Sequence, residues 1–144
     1  MKLTSPAFEH EGHIPSKFTC EGEDVSPTLI VEDVPTNAQS LALIVDDPDA
    51  PGKTFVHWVE YNLPVLDRID ENTAPGTSGA NDFGKTGYGG PCPPSGTHRY
   101  LFKLYALDSE LDLPAGLSKA ELEANMDGHV IDQAVLLGRY QKGA

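Results

Sequence analysis

Basic residues are scarce in this 144-residue chain: ten Lys and Arg stand against 22 Asp and Glu, a formal net charge of -12. A field of that sign repels nucleic acid and anionic membrane surfaces, so neither is expected as a partner, and any anion must be held by local donors. Long apolar runs are lacking too. Nothing approaches the roughly 20 apolar residues of a membrane span, and Met1-Lys2-Leu3-Thr4-Ser5-Pro6 offers no signal-peptide stretch, which sets the expectation of a cytoplasmic protein. Cysteine is limited to Cys20 and Cys92, in no zinc spacing. A bridge between them is open to the chain, but without a secretory signal two free thiols are the default expectation. His10 and His13 add metal-capable side chains near Cys20 but no fourth partner at a recognisable spacing, so neither metal nor cofactor is expected.

What the chain does have is Gly and Pro, 14 and 12 of them, in a length and composition that suit one domain over residues 1–144. They concentrate in Gly87-Tyr88-Gly89-Gly90-Pro91-Cys92-Pro93-Pro94-Ser95-Gly96, a loop pre-shaped by proline and open at its glycines to close approach of a ligand. The segment that follows, His98 to Leu107, alternates as a strand and puts His98 and Tyr100 on one face with Phe102 and Leu104.

Earlier in the chain, residues 1–27 read as loops and short edge strands. Thr28 to Val31 makes a short strand, and Ser40 to Val45 is an unbroken apolar run suited to a central strand buried on both faces. It delivers the chain to Asp46 and to the turn Asp47-Pro48-Asp49-Ala50-Pro51-Gly52. Phe55 to Leu63 is the next strand and the expected antiparallel neighbour of Ser40–Val45; strict alternation groups His57 with Phe55, Val59 and Tyr61.

Gly79-Ala80-Asn81-Asp82-Phe83-Gly84-Lys85-Thr86 matches the phosphate-loop pattern G-x-x-x-x-G-K-[ST] by letter. A working phosphate loop follows a buried strand and opens a helix, and here Pro and Gly occupy both flanks, so a loop without nucleotide is expected. Late in the chain Ser118-Lys119-Ala120-Glu121 is a capping box with Leu117 and Leu122 as staple; the helix should run to about Met126, with one more turn over His129–Asp132. Ala134 to Tyr140 reads as a last strand, although Ala and Leu also suit a helix. With no βαβ alternation and no repeat, the fold class is mainly β: two antiparallel sheets packed as a Greek-key-like sandwich with a short helix near the C-terminus.

Asp47-Pro48-Asp49-Ala50-Pro51, His57-Trp58 and Gly90-Pro91 followed by His98-Arg99-Tyr100, in that order, resemble the signature of the phosphatidylethanolamine-binding protein family, also called Raf kinase inhibitor-like proteins. Thr19 to Pro27, Asp82 to Tyr88 and the Gly138-Arg139-Tyr140-Gln141 ending are similar to its short prokaryotic type. The resemblance implies a β-sandwich with a small anion pocket at one end. Asp47, His57, His98 and Tyr100 match the pocket residues and Gly90 and Pro91 the mouth loop; Asp49 of the same motif is counted with the ligand-binding set. It further implies a small anionic ligand such as phosphate or a phospholipid head group, a regulatory or inhibitory role toward a kinase or protease, and a monomer or small homodimer. Two departures limit the transfer. Val31 stands where many relatives have an aromatic residue, and the C-terminal helix of longer eukaryotic members has no counterpart, so eukaryotic kinase partners do not carry over.

The residue chemistry agrees with an anion pocket. Histidines, a phenol and loop N–H groups are donors, and an acid in such a site makes sense as the acceptor that orients an imidazole. The alternative is a His/Asp-assisted hydrolase of small phosphoesters or esters. It lacks a nucleophile: there is no G-x-S-x-G elbow, Ser95 has no partner that would activate it, and Cys92 has only neighbouring histidines to do so. A binding protein rather than an enzyme is therefore expected.

Overall fold

The computed structural model describes residues 1–143. Strands β1 (Lys2–Thr4), β2 (Leu29–Glu32), β3 (Ser40–Asp47), β4 (Phe55–Leu63), β5 (Arg68–Ile69), β6 (Thr77–Ser78) and β7 (Thr97–Leu107) precede helix α1 (Lys119–Met126) and strand β8 (Val130–Gln141). They form two antiparallel sheets, one of three strands ordered β1-β2-β5 and one of five ordered β6-β4-β3-β7-β8. The apolar run that marks β3 belongs to the middle of the larger sheet, and every residue of that strand is buried. Leu41, Leu43 and Val45 pack with Leu29, Val31, Phe102, Leu104 and Leu136 between the sheets. Ala42 and Ile44 turn the other way, to Val59, Tyr61, Leu122 and Met126 under α1. Two apolar faces on one strand explain why its sequence does not alternate.

The helix starts as its sequence indicates. The Ser118 hydroxyl accepts from the Glu121 amide at 3.1 Å and the Glu121 carboxylate accepts from the Ser118 amide at 3.0 Å, closing the capping box. The expected extra turn over His129–Asp132 does not form. Gly128 takes φ +81°, and from Val130 the chain is strand, paired with β7 from Leu107↔Val130 to Thr97↔Gln141. A long-range ladder of that length outweighs the local helix preference.

Two further expectations need correction. Strict alternation in β4 fails because the register passes from Val45↔Trp58 to Asp46↔Val56 and skips His57. This bulge puts His57 on the opposite face from Val59 and Tyr61, with Phe55 and Tyr100. The cysteines are also not free. Cys20 and Cys92 form a disulfide across 72 positions, with Cα atoms 5.4 Å apart. The loops that carry them are stitched side by side: the Cys20 amide donates to the Pro91 carbonyl at 3.1 Å, the Tyr88 hydroxyl to the Phe18 carbonyl at 2.7 Å, and the Gly90 amide to Asp24 at 2.8 Å. Sequence spacing carries no information on such a contact.

The phosphate-loop lookalike has neither of its required elements. It follows the two-residue strand β6, and no helix begins at its end. The amides of Phe83 and Lys85 donate to the Asn81 side chain at 3.0 and 3.2 Å, so they face inward and not toward a phosphate. ATP or GTP is therefore expected to leave the melting temperature unchanged in wild type and in Lys85→Ala alike, as read by thermal shift; stabilisation that Lys85→Ala abolishes would contradict this. Among the described residues no helix is long and apolar enough to cross a membrane.

Candidate functional site

Three adjacent strands bring their chemistry to one end of the larger sheet. Asp47 closes β3, His57 sits at the bulge of β4, and His98 and Tyr100 open β7. They line a cavity of about 300 Å³ whose walls are otherwise apolar: Ala50 and Pro51 from the turn after β3, Phe55, Phe83, and Cys92, Pro93 and Pro94 from the Gly/Pro loop. A larger depression of about 400 Å³ lies at the other end of β3, around Ser40, Asn62 and Asp112. Its Ser40 and Asn62 side chains already bond to the Ser109 and Leu113 carbonyls, and no histidine faces it.

Inside the first cavity, hydrogen bonds fix the orientation of both imidazoles. His98 Nδ1–H donates to Asp47 Oδ2 at 2.6 Å, within a pair that is almost fully buried. Asp47 Oδ1 accepts from the Asp49 amide at 2.8 Å, so both carboxylate oxygens are engaged. His57 Nδ1–H donates to the Gly89 carbonyl at 2.7 Å, and the Gly89 amide returns a bond to the His57 carbonyl at 2.9 Å. Burial pushes the His57 pKa below the ordinary histidine value, against the opposing pull of the Gly89 carbonyl and the Asp47 charge. Tyr100 stands between the two, its ring centroid 5.2 Å from that of His57 and stacked 6.5 Å from that of His98. Burial, then the nearby Asp47 charge, raise its pKa well above the usual phenol value, so its hydroxyl keeps its proton. That hydroxyl is buried and, among the described residues, has no hydrogen-bond partner.

Other residues singled out in the sequence have supporting positions. Asp49 does not line the cavity. It is exposed on the turn and takes Arg99 in a bidentate pair, Nε to Oδ2 at 2.9 Å and Nη2 to Oδ1 at 2.7 Å, while Oδ2 also accepts from the Arg99 amide. Gly90 and Pro91 are buried against the Cys20 loop and stay off the cavity wall. A Cβ at Gly90 would meet the Phe18 carbonyl oxygen at 2.3 Å and Asp24 Oδ1 at 2.4 Å, so this glycine serves loop packing and not ligand approach. Asp46 faces away from the cavity and accepts Lys103 and Lys119 on its Oδ2 at 2.9 and 2.8 Å.

Several wall residues were not singled out as site residues. Phe83 was hidden inside the phosphate-loop match, yet its ring lies 5.4 Å from His57 and 4.9 Å from Phe55. Pro93 and Pro94 were visible as loop stiffeners only, and Gly89 acts through a carbonyl that no side-chain pattern announces.

The Arg99 guanidinium holds the Asp49 carboxyl at about 2, below its usual value. A depressed carboxyl pKa stabilises the fold above the ordinary carboxylate range, and this contribution is lost as pH falls from about 4 through about 2. The pair is solvent-screened, so its worth is at most about 1 kcal/mol. Asp49→Asn should thus lower the urea-unfolding free energy by a constant small amount above about pH 5, the difference vanishing toward pH 2. A difference that grows on acidification would contradict this.

Comparison with known proteins places the chain in a family. The family model described as phosphatidylethanolamine-binding protein matches residues 4–141. The chain is 49% identical over 151 residues to the UPF0098 protein of Methanothermobacter thermautotrophicus, covering 99% of this chain and all of that one. It is 44% identical to the UPF0098 protein PYRAB11530 of Pyrococcus abyssi, over 99% of this chain and 86% of that one. Among solved structures it is similar to the phosphatidylethanolamine-binding protein homologue CT736 of Chlamydia trachomatis, with a TM-score of 0.95 and 43% identity over 98% of this chain and 97% of that one. It is also similar to Escherichia coli YbcL, described as a new member of the mammalian PEBP family, with a TM-score of 0.90 and 30% identity over 97% of both chains.

Proposed function

Because the chain belongs to the phosphatidylethanolamine-binding protein family, with prokaryotic relatives of the UPF0098 and YbcL type, we propose that its cleft binds a small oxyanion, phosphate or the phosphate of a lipid-like head group. The observation that carries this reading is the Tyr100 hydroxyl, a buried donor with no acceptor among the described residues, on the wall it shares with His57 and His98. A buried hydroxyl left unpaired costs about 1–3 kcal/mol, a cost that a ligand oxygen would remove. Asp47 turns both its oxygens to His98 and the turn, so it orients a donor and does not confront the anion.

The test follows from that cost. Tyr100→Phe removes the unpaired hydroxyl, so the ligand-free protein should become more stable by about 1 kcal/mol while inorganic phosphate binds roughly tenfold more weakly. Urea unfolding and calorimetric titration read the two effects. A substitution that destabilises the free protein and leaves phosphate binding intact would overturn the reading.

We further propose that residues 1–144 act as one domain, monomeric or in a small homodimer, and that anion occupancy regulates docking of a kinase or protease at the cleft mouth, where Phe83 is exposed. The disulfide suits an oxidising compartment or the interior of a hyperthermophile's cell more than an ordinary cytoplasm. Hydrolysis has less support: Cys92 is bonded to Cys20, and Ser95 does not line the cavity. Turnover of a model phosphoester that His98→Ala abolishes would favour it.

A further inference from the structure

Both imidazoles spend Nδ1–H on the protein, His57 on the Gly89 carbonyl and His98 on Asp47. Among the described residues neither Nε2 has a hydrogen-bond partner, although both rings line the cavity. A neutral imidazole whose Nδ1 carries the proton has a lone pair at Nε2, and a lone pair repels an anionic oxygen. The oxyanion reading above therefore needs a proton at each Nε2 that meets the anion, carried by the ring or by the ligand. We propose that His57 serves the neutral protein as a hydrogen-bond acceptor, so that the cleft selects oxyanions that keep an acidic O–H at neutral pH over those that are fully ionised. Inorganic phosphate belongs to the first class; sulfate, the phosphodiester of an intact lipid head group and doubly ionised phosphomonoesters belong to the second, so of the two ligands named above this inference favours inorganic phosphate. The inference rests on the oxyanion reading and names its ligand class.

The surroundings of His57 support the neutral state. The charged or titratable groups that face it are few: Asp47 and, from the other face, Asp46 of β3, with His98 and Tyr100 of β7. Its remaining neighbours in the cavity wall are apolar, Phe55 and Phe83 packed against the ring, with Pro93 and Pro94 in the same wall. Burial dominates that balance and disfavours imidazolium. His98 differs in its partner, the Asp47 carboxylate 2.6 Å from its Nδ1. The Tyr100 hydroxyl then donates to the anion, and a ligand P–O–H donates to His57 Nε2, a bond that a sulfate oxygen cannot make.

Proton linkage separates the alternatives in the wild-type protein. Sulfate should bind only with uptake of a proton at His57, so its affinity should fall about tenfold per pH unit above the neutral range. Phosphate brings the proton that His57 accepts, so its affinity should fall about tenfold less per pH unit than that of sulfate. Calorimetry in two buffers of unlike ionisation enthalpy should show about one more proton taken up with sulfate than with phosphate. His57→Gln, whose amide can donate by itself, should remove the sulfate slope. Equal pH slopes and equal proton uptake for the two anions in wild type would overturn the inference while leaving the oxyanion reading in place. Binding of neither anion at any pH would overturn both.

Discussion

Replacing Cys20 and Cys92 together by serine is expected to lower the melting temperature by roughly 10–15 °C and to weaken anion binding with it. The bridge closes a loop of 72 positions. Loop-closure entropy at that length is worth about 4 kcal/mol in the unfolded chain. For a chain of this size each kcal/mol moves the melting temperature by roughly 3 °C. The second effect has a separate cause: Cys92, Pro93 and Pro94 form one wall of the cavity, and the bridge anchors that wall to the Cys20 loop. Some anchoring survives through the Tyr88 and Gly90 hydrogen bonds, so the fold should persist when the bridge is gone. Thermal unfolding with and without a dithiol reductant reads the first effect, and phosphate titration of the double variant the second. A shift under about 2 °C would contradict the assignment of the bridge as a main constraint on these loops.

The second large effect concerns the His98–Asp47 pair. His98→Ala should weaken phosphate binding by roughly 10- to 150-fold, the worth of one charge-assisted hydrogen bond of about 1.5–3 kcal/mol. Asp47→Ala should act differently. It leaves the buried His98 Nδ1–H and the Asp49 amide without their acceptor, so the protein itself should lose about 1–3 kcal/mol in urea unfolding, and phosphate binding should fall because His98 is no longer oriented. Asp47→Asn keeps an acceptor for the imidazole but removes the counter-charge, so most of the stability should return while affinity stays low. Full phosphate affinity in Asp47→Asn would contradict the role of the charge.

How much of this was legible in the sequence depended on whether local pattern or long-range geometry decided the matter. β3 could be read because its apolar run has one physical explanation, burial on two faces, and α1 because its capping box is a local hydrogen-bond circuit. The convergence of Asp47, His57, His98 and Tyr100 on one cavity could be anticipated because they sit on strands or a strand-end turn within recognisable motifs, and the three strands lie side by side. The bulge at His57 could not. Its cause is a register mismatch between β3 and β4, and the alternation that a period of two implies hides it. The disulfide, the role of Gly90 in packing against Phe18, and the Asp49–Arg99 pair are contacts between distant segments, with no trace in either segment alone. The wrong expectation for His129–Asp132 has the same origin, since the β7 ladder decides the conformation of residues with no strong preference of their own.

Joint receipt of an oxyanion by His57, His98 and Tyr100, as proposed, is tested most directly by the ring signals of the histidines. Five histidines are present, and His10, His13 and His129 lie outside the cavity, so they serve as internal references. In an NMR titration with inorganic phosphate, the Nε2 and ring-proton signals of His57 and His98 should move together along one saturable curve. Those of the other three should stay still, and in His98→Ala the His57 response should move to roughly 10- to 150-fold higher phosphate concentration. A folded protein in which phosphate moves all five histidines alike, or leaves His57 and His98 unmoved at saturating concentration, would contradict the account.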